Sequence, residues 1–248
     1  MRLIGGAAVI LFLGFCFSVH AAEIAVLSAG AIEPGLKAAA AAFEKQNGHK
    51  VRITFNTAPQ IIKRIAAGDV FDVIIAPPSL IADFTRAGKI EGGGVDVGRV
   101  GSGVAVRPGA PVPAIGTADD IRRAVLDADS IVFNRASTGI YFENLLKKMG
   151  VWERVEQKTI RYDTGAEVMK RALKGKGREV AFGPITEILL EKGQGLVFVG
   201  PLPTEIQNYT SYVAAPVKAS AQKTIAEAFV GFLGGSAAKP LFVAAGIE

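Results

Sequence analysis

Residues 23–55 read EIAVLSAGAIEPGLKAAAAAFEKQNGHKVRITF, and this stretch decides the fold class. The short apolar run at 23–28 is typical of a buried strand. Residues 32–46 carry an Ala-rich apolar stripe at helical spacing, and Gly48 is a typical residue at a helix C-terminus. A second apolar strand follows at 51–55. A strand, a helix and a strand in this order predict parallel strands joined by a helical crossover.

The alternation of strands and helices continues through the chain in two sets. The first set adds helices at 60–67 and 79–87 and a strand at 71–76. The second set has helices at 117–127, 141–149, 166–173 and 186–191 and strands at 130–133, 179–182 and 196–199. Two longer strand-like segments connect the sets, at 95–106 and 205–215. Helices at 218–234 and 237–245 close the chain.

This order predicts an α/β protein with two lobes, each a mostly parallel sheet flanked by helices. Lobe I is expected to contain residues 22–100 and 204–248, and lobe II is expected to contain residues 101–203. The two connecting segments would cross between the lobes. A cleft between the lobes would then lie at the carboxyl ends of the strands, where open parallel sheets bind their ligands.

Residues 1–21 predict where the protein works. Arg2 gives a short positive region, residues 3–19 form an apolar run, and a small-residue cleavage site precedes Ala22. This pattern is typical of a cleavable secretory signal peptide, and it predicts a periplasmic protein. The alternative is an uncleaved membrane anchor, because the apolar run approaches the length of a membrane span.

The composition excludes several kinds of chemistry. The chain has 1 Cys and 2 His, and cleavage before Ala22 would leave no cysteine and a single imidazole at His49. Disulfides, thiol catalysis and a His/Cys metal site are therefore not expected, and the sequence shows no cofactor-binding motif. The formal net charge of +5 is spread without basic clusters, so nucleic acid is not an expected partner.

The loops at the strand ends contain no catalytic set. They carry small, hydroxyl-bearing and glycine residues just ahead of predicted helices, where backbone N–H groups and helix dipoles favour an anion. The loop residues that fit this description are Ala29, Gly30, Asn56, Thr57, Ala58, Ser137, Thr138, Gly139 and Pro184. The alternative for each loop alone is ordinary helix capping. Several such loops converging on one cleft favour an anion site.

Three stretches carry a family resemblance, namely residues 24–31, 54–76 and 138–152. Together with the order of the elements, they resemble the molybdate-binding periplasmic proteins of ABC transporters over nearly the whole mature chain. The resemblance implies a type II periplasmic binding protein fold, with two hinge crossings and a ligand held between the lobes. It also implies a monomeric receptor that delivers a small anionic solute to an ABC transporter permease in the inner membrane.

The same resemblance implies a set of ligand contacts. Residue by residue, they fall at Gly30 and Ala58 for the family's ligand serines, near Thr138 and at Ala166 or Glu167 for its backbone donors, and at Phe182 for its tyrosine hydroxyl. Three side-chain donors are therefore missing here. Each unsatisfied ligand oxygen would cost about 1–3 kcal/mol, which disfavours molybdate.

A small organic carboxylate is the favoured ligand, because Arg135 follows a predicted strand and a guanidinium group matches a carboxylate in bidentate geometry. The alternative for Arg135 is a solvated loop charge. Glu167 would repel an anion unless its side chain points away. The alternative functions are a molybdate- or tungstate-binding protein, and a sensor or an enzyme on the same fold. The sequence shows no nucleophile–base pair, which argues against an enzyme.

Overall fold

The structure is a computed structural model, and it describes residues 21–248. The predicted signal peptide, residues 1–21, lies outside the described residues except for Ala21. Within the described part, no helix is both long enough and apolar enough to cross a bilayer.

The described chain alternates strands with helices. Its strands are β1 (Glu23–Ala29), β2 (Lys50–Asn56), β3 (Val73–Ala76), β4 (Val95–Val106), β5 (Ser130–Asn134), β6 (Thr159–Tyr162), β7 (Glu179–Pro184), β8 (Val197–Pro201) and β9 (Tyr209–Pro216). Its α-helices are α1 (Glu33–Asn47), α2 (Ala58–Ala66), α3 (Pro78–Arg86), α4 (Ala118–Asp127), α5 (Ser137–Lys148), α6 (Trp152–Val155), α7 (Gly165–Leu173), α8 (Ile185–Glu191), α9 (Lys223–Leu233) and α10 (Lys239–Ala244). Short 3-10 turns lie at Gly30–Ile32, Glu156–Lys158, Lys192–Gln194 and Thr204–Ile206.

One long strand links two sheet regions. The strand order is β2-β1-β3-β9-β4-β7-β5-β6, with β8 also paired to β4. Residues 95–101 of β4 pair with β9, whereas residues 102–106 pair with β7. We call β1, β2, β3, β9 and residues 95–101 the first lobe, and residues 102–106 with β5 to β8 the second lobe. The predicted two-lobed α/β fold is confirmed, and the exact residue boundaries given above stay a prediction.

Each lobe is covered on both faces by apolar side chains, as expected where parallel strands are buried. The pairs that β1 forms with β2 and β3, and those that β5 forms with β6 and β7, are parallel. In β1, Ile24 and Val26 pack in one core cluster with Phe43, and Leu27 packs in the cluster on the other face. This alternation follows the two-residue period of a strand. The second lobe likewise has two clusters.

Two elements depart from the sequence-based expectations in a way that matters for the site. Helix α5 begins at Ser137 rather than at residue 141. It begins early because the Asn134 side-chain oxygen accepts from the N–H groups of Ala136 and Gly139, both at 3.0 Å, and so supports the first turn. Strand β6 was not predicted at all. It lies at the edge of the sheet and is only four residues long, so its alternation of Thr159 and Arg161 with Ile160 and Tyr162 is at the lower limit of the length that identifies a strand.

Candidate functional site

A cavity of about 30 Å³ lies between the two lobes, at the carboxyl ends of β1, β2, β3, β5 and β7. The residues around it come from both lobes and are mostly small or polar. They are Ala29, Gly30, Ala31, Asn56, Thr57, Ala58, Pro77, Asn134, Ala136, Ser137, Thr138, Gly165, Pro184, Glu187 and Tyr212. We call this the interlobe cavity. A larger open groove of about 320 Å³ lies on the second lobe beside α4, but helix N-termini do not converge on it as they do on the interlobe cavity.

Most of the predicted site residues meet at the interlobe cavity. The residues placed there are Ala29, Gly30, Asn56, Thr57, Ala58, Ser137, Thr138 and Pro184. Several α-helices begin at its wall, among them α2, α5, α7 and α8. The first-turn N–H groups of a helix have no partner within the helix, and they carry the positive end of its dipole. The cavity wall therefore favours negative charge.

The amides of α5 are the most available donors. Within residues 21–248, the N–H groups of Ser137 and Thr138 find no acceptor, because Asn134 already takes those of Ala136 and Gly139. Gly139 itself lies against β5, where an added Cβ would come 1.8 Å from the Asn134 carbonyl oxygen. The structure thus places Gly139 in helix packing rather than on the cavity wall.

The amide of Thr57 is already committed to a neighbour. Its N–H donates to Gln60 Oε1 at 2.9 Å, and Asn56 Nδ2 donates to the same oxygen at 3.2 Å. This arrangement fixes the loop before α2 and orients the Asn56 side chain. The Thr57 N–H and the Asn56 side chain, both predicted as ligand donors, therefore stabilise the conformation of this loop.

Two predicted side chains point elsewhere. Arg135 is exposed, donates to the Arg161 carbonyl oxygen at 2.7 Å and lies 3.5 Å from Asp163 Oδ1. Glu167 Oε2 accepts from the N–H and hydroxyl of Thr164, at 2.9 and 2.8 Å, as the capping box of α7. The Glu167 carboxylate is therefore held at the start of α7 and points away from the cavity.

The other two predicted contacts also lie outside the cavity wall. Phe182 is buried in the core of the second lobe, where its ring stacks on Phe142 with ring centroids 3.6 Å apart. Ala166 is the second residue of α7, next to Gly165, and only Gly165 reaches the wall. The family resemblance implies a tyrosine hydroxyl at position 182, but this chain has a phenylalanine there, and its ring packs in the core.

Glu187, which the sequence analysis did not single out, is the one acidic side chain on the described cavity wall. It lies in the first turn of α8, and its Oε2 is buried without a hydrogen-bond partner. An added Cβ would lie 3.1 Å from Oε1 at Gly30 and 1.6 Å from Oε2 at Gly165, so both glycines give the carboxyl its space. Burial, assisted by the negative charge of Glu33, raises the pKa of Glu187 to about 7.

The sequence signal for Glu187 was weak. A carboxylate in the first helical turn is ordinary, because it is stabilised by the helix dipole at any exposed position. Glu187 differs from such residues because the first lobe packs against its carboxyl group. Tyr212 of β9 lines the same cavity, and burial followed by the charge of Glu187 raises the pKa of its phenol, which keeps it neutral.

A direct hydrogen bond joins the lobes beside this carboxyl. Thr186 Oγ1, in the second lobe, donates to the Ala31 carbonyl oxygen at 2.5 Å, and both residues are buried. The cavity is therefore that of a closed molecule, and a larger ligand requires the lobes to separate. Within residues 21–248, no cluster of three or more His, Cys, Asp or Glu side chains is placed to hold a metal ion.

Comparisons with known proteins agree with this architecture. An aconitate isomerase from Pseudomonas sp. is 26% identical over 216 residues, which are 85% of this chain and 81% of that protein. The periplasmic molybdate-binding protein of Azotobacter vinelandii has a similar structure, with a TM-score of 0.76, 17% identity, and coverage of 91% of this chain and 99% of that chain.

The sulfate-binding protein SubI from Mycobacterium tuberculosis H37Rv has a TM-score of 0.72 and 19% identity, and the match covers 91% of this chain and 86% of that chain. These two structures share the fold with this chain. The sequence profile of a family described as bacterial extracellular solute-binding protein matches residues 24–248, nearly all of the described chain. This chain therefore belongs to the bacterial extracellular solute-binding protein family.

Proposed function

We propose that the protein is a monomeric periplasmic receptor that binds a small organic carboxylate in the interlobe cavity and delivers it to an ABC transporter permease, without enzymatic activity. The observation that carries this proposal is the composition of the cavity wall. Backbone N–H groups at the start of α2, α5 and α7 provide positive ends, and a single carboxyl group, Glu187, limits how much negative charge is tolerated.

Charge favours a carboxylate over a tetrahedral oxyanion dianion. The Coulomb energy between two groups scales with the product of their charges, so whenever Glu187 is ionised it repels a dianion twice as strongly as a single carboxylate group at the same distance. The lost hydroxyls at Gly30, Ala58 and Phe182 act in the same direction, because fewer donors remain for four oxyanion oxygens.

The volume of the interlobe cavity also favours a carboxylate. A cavity of about 30 Å³ holds about two water molecules on the scale of roughly 10–15 Å³ for each. One carboxylate group matches this space. The remainder of a larger carboxylate would need a wider separation of the lobes, which the hinge strand β4 permits.

Thermal unfolding in the presence of different anions tests the proposal. The panel contains acetate, fumarate, trans-aconitate, sulfate and molybdate, each at millimolar concentration. A ligand present at about 100 times its Kd stabilises the native state by about 2.7 kcal/mol, so a carboxylate should raise Tm by several degrees. A shift with molybdate and none with any carboxylate would contradict the proposed ligand class, and no shift with any anion would contradict the proposed function.

A matched pair of proline variants locates the site. Thr138 and Asp119 are both the second residue of a helix, in α5 at the cavity and in α4 far from it. Thr138→Pro removes an N–H from the cavity wall and should weaken binding more than tenfold, whereas Asp119→Pro should leave the affinity unchanged. Equal effects of the two variants on calorimetric affinity, with both proteins folded, would place the site elsewhere.

A second candidate function is isomerisation of an unsaturated polycarboxylate. The similarity to an aconitate isomerase favours it, and so does a cavity carboxyl, Glu187, with a pKa near 7, which suits a general acid–base catalyst. Such a reaction removes a proton from the methylene carbon of an allylic system and returns a proton to the distal alkene carbon. Proton NMR of trans-aconitate with the protein tests it. Conversion that is lost in Glu187→Gln would support the isomerase, and absence of conversion would support the receptor.

The periplasmic location depends on cleavage of the signal peptide. We propose that the mature chain begins at Ala22, that lobe I contains residues 22–100 and 204–248, and that lobe II contains residues 101–203. Mass spectrometry of protein recovered from the periplasm should show this N-terminus within a residue or two. A full-length product held in the membrane fraction would contradict it.

A further inference from the structure

We propose that anion capture in the interlobe cavity requires a proton on Glu187, so that the protein binds its ligand tightly when this carboxyl is neutral and releases it when the carboxyl ionises. The inference rests on the proposed function of the cavity as an anion site. It adds a coupling between ligand and proton that the fold alone does not imply.

The position of the carboxyl is the first argument. Glu187 Oε2 is buried and lacks a hydrogen-bond partner, and its two oxygens lie against the backbone at Gly30 of the first lobe and Gly165 of the second. A buried polar atom without a partner costs about 1–3 kcal/mol, so a partner supplied from the cavity would stabilise the closed form. A neutral carboxyl can donate its proton to an anion oxygen, but an ionised one can only accept.

The charged surroundings are the second argument. The acidic Glu33 of α1 faces Glu187, and it is paired with Lys37 at 2.5 Å. Tyr212 of β9 is neutral, and two other charged side chains on elements that pack against α8 have their own partners. Those partners are Thr164 for Glu167 of α7 and Glu248 for Arg99 of β4. Within the described chain, no cation forms an ion pair with Glu187.

These surroundings decide which form of the side chain tolerates an anion. An ionised Glu187 beside a bound anion would place two negative charges in one small cavity without a compensating cation, which is unfavourable. The neutral form removes the repulsion and provides a hydrogen bond. Because burial raises the pKa of Glu187 to about 7, the carboxyl changes form within the range of ordinary environmental pH.

The coupling predicts a specific pH dependence. The observed affinity is the affinity of the neutral form multiplied by the fraction of protein that is neutral. For a group that titrates at about 7, that fraction falls about 30-fold between pH 6 and pH 8.5. The dissociation constant should rise by the same factor.

Isothermal titration calorimetry at pH 6 and pH 8.5 tests the inference. The probe is the member of the panel of acetate, fumarate, trans-aconitate, sulfate and molybdate that binds most tightly at pH 6. Wild type is compared with Glu187→Gln, which keeps a neutral donor of similar shape at every pH, and with Glu227→Gln, an exposed control on α9. Any titration of the probe itself affects all three proteins equally and cancels.

The expected result is an affinity loss of about 30-fold for wild type and Glu227→Gln and a much smaller loss for Glu187→Gln. Titrations at pH 7.5 in two buffers of different ionisation enthalpy should also show proton uptake by wild type and none by Glu187→Gln. Parallel pH profiles for wild type and Glu187→Gln would overturn the inference and leave the proposed function intact. Failure of all the anions to bind wild type at pH 6 would instead overturn the proposed function.

Discussion

Replacing Glu187 by glutamine should change how the stability of the unliganded protein depends on pH. The pKa of this carboxyl is raised from 4.5 to about 7 in the folded protein, so the folded state holds its proton more tightly than the unfolded state. Between these two values the folded state binds more protons, and the free energy of unfolding must fall as pH rises. The stability contributed by the neutral carboxyl is complete at low pH and is lost as pH rises through 7.

The size of the effect follows from the same values. A tenfold difference in proton affinity corresponds to about 1.4 kcal/mol, so the full difference amounts to about 3 kcal/mol, of which about 2.5 kcal/mol falls between pH 5 and pH 8. Glu187→Gln cannot ionise and should not show this loss. Any constant cost of the buried amide cancels when each protein is compared with itself at the two pH values.

Urea unfolding of both proteins at pH 5 and pH 8 measures the difference. We expect wild type to lose about 2.5 kcal/mol more than Glu187→Gln over this interval. The variant Glu227→Gln should behave as wild type does, because residue 227 is exposed on α9 and lies outside the cavity. An equal pH dependence of wild type and Glu187→Gln would refute the assignment of a buried, proton-holding carboxyl to this position.

Three further substitutions test the packing of the cavity and the core. Gly165→Ala would place a Cβ 1.6 Å from Glu187 Oε2, so we expect anion affinity to fall more than tenfold, while Gly193→Ala, which has free space, serves as the calorimetric control. Phe142→Ala should cost about 3–5 kcal/mol in urea unfolding, because its fully buried ring stacks in the core of the second lobe. Arg135→Ala should leave anion affinity within twofold by calorimetry, because its guanidinium group points away from the cavity; a large loss would restore Arg135 to the site.

The fold could be predicted because its local patterns agree with its long-range pairing. Apolar runs and a helix-ending glycine indicate a β-α-β order at 23–55, and the structure has β1, α1 and β2 there. The strand at 95–106 has the bounds expected of it. Edge strand β6 could not be found in the same way, because its alternation of polar and apolar residues spans only four positions.

The wall of the candidate site was predictable where it is made of backbone. Strand ends followed by small residues identified Gly30, Ala58 and Thr138, since parallel sheets bring such loops together. Side-chain direction could not be predicted from the same signal. Whether Arg135 faces the cavity depends on the carbonyl oxygen of Arg161, a residue that is distant in sequence and that only the folded sheet brings near.

The place of β9 in the sheet has a consequence for the order in which the molecule can be completed. Although β9 comes near the end of the chain, it lies between β3 and β4 and joins them. A chain that ends before Tyr209 therefore has all the strands of the second lobe but a gap between β3 and β4 in the first. Because lobes tend to fold as units, we expect the second lobe to resist proteolysis first. The first lobe, and with it a cavity between two complete lobes, therefore requires the chain through Pro216.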